Sequence, residues 1–261
     1  MLSEERHKLI LEKVKNESVV YLNDLVKYLN TSESTIRRDL IALDKAGLLK
    51  KVHGGATALK DISINTLDDI VENRKSLNME EKFKIAKYAA SLIKDNDLVY
   101  LDAGTTTELM INFINNTKAI FVTNGIVHAR NLIKKNCTTY ILGGELKLST
   151  EAIVGAETVK SLRKYNFTKG FFGANGVDLE RGFSTPDIKE AMVKEEALIR
   201  SKKRYVLCDK SKFDEISSIT FADIQDAEII TTKLDNYKYR NKAEILEVDI
   251  LWYTQLHLIQ H

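Results

Sequence analysis

Apolar positions in the first thirty residues recur at helical spacing. Leu9, Ile10 and Val14 mark one helix of about residues 4–16, and Leu22, Leu25, Val26 and Leu29 mark a second. Asn30-Thr31 reads as a tight turn, with Ser32 as the N-cap of a third helix starting at Glu33. At about 100° per residue, Ile36, Leu40 and Leu43 share the core face of that helix. Ser34, Arg38 and Lys45 then point nearly opposite, with Thr35 and Arg37 on the flanks. "LLKKVHGGA" (48–56) adds a strand-like stretch and paired glycines, a short hairpin or wing. Three short helices followed by a wing predict a winged helix-turn-helix over residues 1–57.

Residues 58–78 carry scattered polar positions without a period and read as a linker. From residue 79 the pattern alternates. Helices are expected over 79–93, 106–115, 126–135 and 187–201. Short apolar strands are expected at 97–102, 119–123, 138–142, 170–174, 204–208 and 227–231. Such alternation predicts an α/β unit over 79–232, a mostly parallel sheet covered on both faces. In the tail, 233–261, Val248, Ile250 and Trp252 alternate as a strand would. An added strand, an oligomer contact and a loosely ordered end all remain open there.

Composition narrows the class. The 261 residues are 44% apolar and 29% charged, with no run of eighteen apolar residues to span a membrane. "MLSEERHKLI" has charges where a signal peptide needs its apolar stretch. Cys137 and Cys208 lack ligand or redox spacing and read as buried small side chains, which fits a reducing cytoplasm. No metal site and no cofactor are expected. The formal charge is +2, unevenly spread: residues 1–60 hold 11 Lys and Arg against 8 Asp and Glu.

That excess matters if it shares a face. A helix offering hydroxyls at its N-terminus and an outward arginine one turn later suits a major groove. Arginine pairs bidentately with guanine, while hydroxyls and first-turn N–H groups hold phosphate. Ser32, Ser34, Thr35, Arg37, Arg38 and Lys45, with Lys50, Lys51, His53 and Gly54 of the wing, form the candidate surface for double-stranded DNA. The plainer alternative is a solvated face, Arg37 and Arg38 pairing with Asp39 or Asp44.

In an α/β unit, ligands bind beyond the C-terminal strand ends. Those ends read "DAGTTTE" (102–108), "TNG" (123–125), "GGE" (143–145) and "GANG" (173–176). Gly104 with Thr105, Thr106 and Thr107 opens a helix as a phosphate cradle, where the plainer reading is a capped helix start with no ligand. Asn124, Gly125, Gly143 and Asn175 sit at the neighbouring ends. Glu190 and Lys194 share a helical face at i and i+4, where the plainer reading is a surface ion pair.

"STIRRDLIALDKAGLLKKVHGGAT" (34–57) resembles the winged-helix signature of the DeoR family of bacterial transcriptional regulators. Lys51 stands where that family usually has Arg, keeping the charge but losing the fork geometry. "DAGTTT", "VTNG", "GFSTPDIKEAMVK" and "DKSKF" resemble the family's sensor domain, so the likeness covers about residues 1–232. The resemblance implies a body similar in fold to ribose-5-phosphate isomerase and a phosphorylated sugar as effector. It places phosphate on Gly104, Thr105, Thr106 and Thr107 with Lys212 as a cationic contact. Asp102, Asn124, Asn175, Glu190 and Lys194 are implied as contacts to the sugar. "YLDAGTTTE" and "NGVD…GFSTPD" look most like the fructose-operon repressors of low-GC Gram-positive bacteria, with fructose 1-phosphate the expected effector. Lactose-type repressors, which sense tagatose 6-phosphate, share much of this framework. The resemblance thus implies a repressor of a sugar-utilisation operon, working as a homodimer or homotetramer. The competing class is an isomerase-like enzyme with a fused helical domain; a third is a scaffold that needs no small molecule.

Overall fold

A computed structural model describes residues 2–17, 19–58, 64–66, 71–115, 117–234 and 237–248. The chain divides into two compact units, Met1–Ile62 and Ser63–His261.

The first unit runs α1 (Ser3–Glu17), β1 (Val19–Tyr21), α2 (Leu22–Leu29), α3 (Glu33–Lys45), β2 (Lys50–Val52) and β3 (Gly55–Thr57). Its core is the set of stripes read from the sequence: Ile10, Val14, Leu22, Leu25, Leu29, Ile36, Leu40 and Leu43, with Leu49 and Ala56 from the wing. The wing hairpin is completed by β1, giving the order β1-β3-β2. This third strand was not read from the sequence, because three residues are too few to show a period. Gly55 is fixed by it: a Cβ there would lie 2.0 Å from the Val20 carbonyl oxygen. Gly54 occupies the hairpin turn at φ +82°, a conformation glycine adopts without strain.

In the second unit, α4 (Val71–Ser76) and α5 (Met79–Ser91) precede β4 (Leu98–Leu101), α6 (Thr105–Ile111), β5 (Ile120–Thr123), α7 (Ile126–Lys134) and β6 (Thr138–Ile141). Then come α8 (Ala156–Leu162), β7 (Phe167–Gly173), α9 (Ile188–Ile199), β8 (Ser201–Leu207), β9 (Glu228–Thr232) and β10 (Ile245–Val248). The seven strands pair in parallel throughout, in the order β10-β9-β8-β7-β4-β5-β6. Alternate side chains feed two cores. Val99, Leu101, Phe121 and Phe171 meet α5 and α6 through Ile85, Ala89 and Met110. Tyr100, Val122, Phe172 and Val206 meet α8 and α9 through Leu162, Val193 and Ala197.

Several bounds differ from the sequence reading. β7 starts at Phe167 rather than 170, because its polar start is absorbed: Thr168 Oγ1 donates to Asp97 Oδ1 at 2.8 Å and Lys169 pairs with Asp97. α6 stops at Ile111, where Asn112, Phe113 and Ile114 switch to i→i−3 bonds. Within the stretch read as linker, Ile64–Asn65 pairs with Ile216–Ser217, and α4 forms. A hairpin (Glu145–Lys147, Ala152–Val154) and a small sheet (Gly176–Asp178, Gly182–Thr185, Ile219–Ala222) were not read at all. In the tail, Val248 ends a strand paired with β9; Ile250, Trp252 and the segment 253–261 lie outside the described residues.

Candidate functional site

In the head, the turn between α2 and α3 is closed by Asn30 at φ 44°, a left-handed cap that asparagine tolerates. Ser32 caps α3 by accepting from Thr35 N–H at 3.3 Å, and its hydroxyl lies 3.0 Å from Ser34 Oγ and 2.8 Å from Thr35 Oγ1. The carboxylates are used differently from the plainer sequence reading. Asp39 is buried and accepts from Arg6 Nη2 at 2.9 Å and lies 3.0 Å from His7 Nε2, tying α1 to α3. Burial works against its charge, but the Arg6 and His7 bonds prevail and hold its pKa below the usual value. Asp44 accepts the Lys51 backbone N–H at 2.8 Å, bracing the wing. Arg37 turns to Glu33, with Nε 2.9 Å from Oε1. Arg38 is exposed, its Nε donating to the Ser34 carbonyl at 3.3 Å. Lys45, Lys50, Lys51, His53 and Gly54 are exposed as well.

In the body, a cavity opens at the C-terminal ends of β4 and β7. These neighbours mark the place where strand order reverses, the position at which α/β sheets bind ligands. Of the residues read as effector contacts, Gly104, Thr105, Thr106, Asn175, Glu190, Lys194 and Lys212 line it. Asp102 lies directly behind. It is buried, accepts Gly173 N–H at 3.0 Å and pairs with the buried Lys194, whose Nζ also donates to the Gly173 carbonyl at 3.1 Å. Lys194 therefore pairs with Asp102 at the end of β4, and the surface ion pair with Glu190 is replaced by two buried groups with separate partners. Glu190 accepts from Thr150 Oγ1 at 2.6 Å and from Lys147 Nζ at 3.3 Å, and lies 3.4 Å from Thr185 Oγ1.

Besides Asp102, four further expected contacts are not among the lining residues. Thr107 is fully buried, and its hydroxyl donates to the Asp102 carbonyl at 2.6 Å. Asn124 is buried with its Oδ1 accepting from Tyr100 Oη and Ala103 N–H, while Nδ2 donates to the Ile153 carbonyl. Gly125 packs beneath the His128 ring, and Gly143 is an exposed loop residue whose carbonyl accepts from Thr158.

The lining adds cations that the sequence reading missed: Arg74 of α4 and Lys82 of α5. A signal existed for Lys82, which is one turn before Ile85 and Ala86 and two before Ala89 on the buried stripe of α5. A lysine at core spacing needs a reason. It is buried and donates to the Arg74 carbonyl. Burial lowers its pKa most, Asp209 opposes this, and Lys212 and Arg74 lower it further. Asp209 is held by Asn78 Nδ2 at 2.9 Å and by Ser211 N–H at 3.0 Å. Among the described residues no cluster of His, Cys, Asp and Glu could hold a metal ion. Cys208 is buried, and burial pushes its thiol up to about 12.

A winged helix-turn-helix joined to an α/β unit with a polar cavity defines a DNA-binding regulator that carries a sensor domain. The chain belongs to the DeoR family: residues 6–61 match the DeoR-like helix-turn-helix domain and residues 77–233 the DeoR C terminal sensor domain. It is 46% identical over 252 residues to the Bacillus subtilis protein named "uncharacterized HTH-type transcriptional regulator FruR", spanning 96% of this chain and 99% of that one. The B. subtilis regulator IolR is 33% identical, over 90% of this chain and 94% of its own. The lactose phosphotransferase system repressor of Staphylococcus epidermidis (strain RP62A) is 34% identical at the same coverage. Among solved structures, ribose 5-phosphate isomerase A of Methanocaldococcus jannaschii aligns with TM-score 0.40 and 18% identity, over 52% of this chain and 55% of that one. The sequence relatives are transcriptional regulators, and no helix among the described residues is long and apolar enough to cross a membrane.

Proposed function

We propose that this protein represses a sugar-utilisation operon in the cytoplasm, with operator affinity set by a phosphorylated sugar in the body cavity. Fructose 1-phosphate is the effector favoured by the likeness of "YLDAGTTTE" and "NGVD…GFSTPD" to fructose-operon repressors. The observation that carries the reading is the convergence of Arg74, Lys82 and Lys212 on the loop 104–106 at the strand-order reversal. Crowded, partly desolvated cations gain most from an anion. The loop adds first-turn N–H groups, which have no partner within their own helix. Phosphate sits there, while Asn175, Glu190 and Lys194 face the sugar hydroxyls. Asp102 holds Lys194 from behind.

An isomerase-like enzyme is the weaker reading. A general base must reach a substrate proton, whereas Asp102 is occupied by Lys194 and Gly173 and Glu190 by Thr150 and Lys147.

On the DNA side, Arg38 and the α3 N-terminus meet the major groove, and Lys50, Lys51 and His53 lie along the phosphates. Two heads of a homodimer or homotetramer read two half-sites. Effector control requires unequal affinity for two arrangements, with coupling of about 1–3 kcal/mol typical. A thermal-shift panel of fructose 1-phosphate, fructose 6-phosphate, tagatose 6-phosphate, ribose 5-phosphate and unphosphorylated fructose tests the sensor. A ligand at a hundred times its dissociation constant stabilises by about 2.7 kcal/mol. A panel with no response from any phosphosugar would refute the reading.

A further inference from the structure

His128 sits on α7, buried, and is not among the residues lining the effector cavity; it lines a small adjoining one with Gly104, Thr105 and Thr150. Its Nε2 is 3.1 Å from the Gly104 carbonyl oxygen, which can only accept, so Nε2 carries the proton and Nδ1 is bare. The same nitrogen is 3.1 Å from Thr107 Oγ1. Thr107 in turn accepts the Gly104 N–H at 3.0 Å and donates to the Asp102 carbonyl. Both backbone polar groups of Gly104 are thus held from the side away from the cavity.

Two glycines make this arrangement possible. A Cβ at Gly125 would fall 2.4 Å from His128 Nδ1 and 3.2 Å from the Ala103 Cβ, so the ring is seated against bare backbone. A Cβ at Gly104 would press on Thr107 Oγ1 at 3.2 Å. The Gly104 carbonyl already accepts from Glu108 N–H at 2.8 Å, so the imidazole is not needed to satisfy it. What the imidazole adds is direction: it sets the angle of the peptide from which Thr105 and Thr106 begin.

We infer that His128 is a positioning residue for the effector loop, fixing through Gly104 and Thr107 the backbone that receives the phosphate of a phosphosugar. The inference rests on the effector reading above. It also gives Gly125 a role as the seat of the histidine ring rather than as a ligand contact.

The test uses the full-length protein and isothermal titration with fructose 1-phosphate, tagatose 6-phosphate and inorganic phosphate. His128→Leu keeps the bulk and removes the donor, whereas His128→Gln can return an N–H near the Nε2 position. The expected result for His128→Leu is weaker phosphosugar binding by about five- to tenfold, the worth of one ordinary hydrogen bond. Its ligand-free operator affinity should be unchanged, and His128→Gln should restore most of the loss. Binding by His128→Leu at wild-type strength overturns the inference while leaving the effector reading intact. So does a His128→Gln variant as weak as the leucine one, which would mean that shape, not the donor, matters. A wild-type protein that binds none of the three probes overturns both.

Discussion

The buried imidazole makes a second, independent claim on stability. Burial is the largest influence on His128 and lowers its pKa to about 4, against partial opposition from Asp102 and the Gly104 carbonyl, with Lys75 adding to the lowering. A folded-state pKa below the unfolded value of about 6.5 means the unfolded chain binds the proton more readily. The stability it supports is therefore present above pH 6.5 and lost as pH falls towards 4. Linkage between those two values gives a loss of about 2 kcal/mol between pH 7 and pH 5. Asp39, Asp97 and Asp187 also have lowered pKa values, but such carboxylates lose their contribution chiefly below their unfolded pKa of about 4. The window from pH 7 to 5 thus separates the histidine from these carboxylates, and the comparison with His128→Gln separates it from the other histidines. Urea unfolding of the body, followed by far-ultraviolet circular dichroism at both pH values, should show this loss for wild type and a much smaller one for His128→Gln. Equal losses in the two proteins would refute the burial argument.

Arg38→Ala should weaken operator binding by about 1–3 kcal/mol, as expected for a lost base contact, without changing phosphosugar binding; a mobility-shift titration with unchanged affinity would remove Arg38 from the groove. Lys194→Met leaves the Asp102 carboxylate buried without its cation and should cost about 3–5 kcal/mol in urea unfolding. An unfolding midpoint equal to wild type would mean that water or another group takes the place of the ammonium. Gly55→Ala drives a methyl group into the Val20 carbonyl, so it should lower the head's unfolding midpoint and operator affinity together. The body's response to phosphosugars is the internal control, and an unaltered head would show that β1 can yield there.

The helices of the head were legible because each is an amphipathic stripe whose period survives without tertiary context; Ile36, Leu40 and Leu43 face the core where the spacing put them. The parallel sheet was legible for a related reason, since strands buried on both faces must be short apolar runs. Gly104, Thr105 and Thr106 line the cavity, but a glycine before hydroxyls at a strand end suits a capped helix start as well as a phosphate cradle, and only the convergence of four such strand ends pointed to a ligand. The partners of charged groups could not. Asp39 beside Arg37 and Arg38 invited a local pairing, yet it binds Arg6 and His7, which are more than thirty positions away. Asp102 and Lys194 meet only because β4 and α9 pack at the strand-order reversal. Thr107 and Asn124 resemble ligand contacts in the sequence, and their inward orientation follows from backbone groups that fold into reach. Sequence by itself determined where chain segments must hide apolar surface and where backbone must turn, because those demands are local. Tertiary structure decided which charges neutralise one another and which face an open cavity, because electrostatic partners are chosen by distance in space, and the sequence records only distance along the chain.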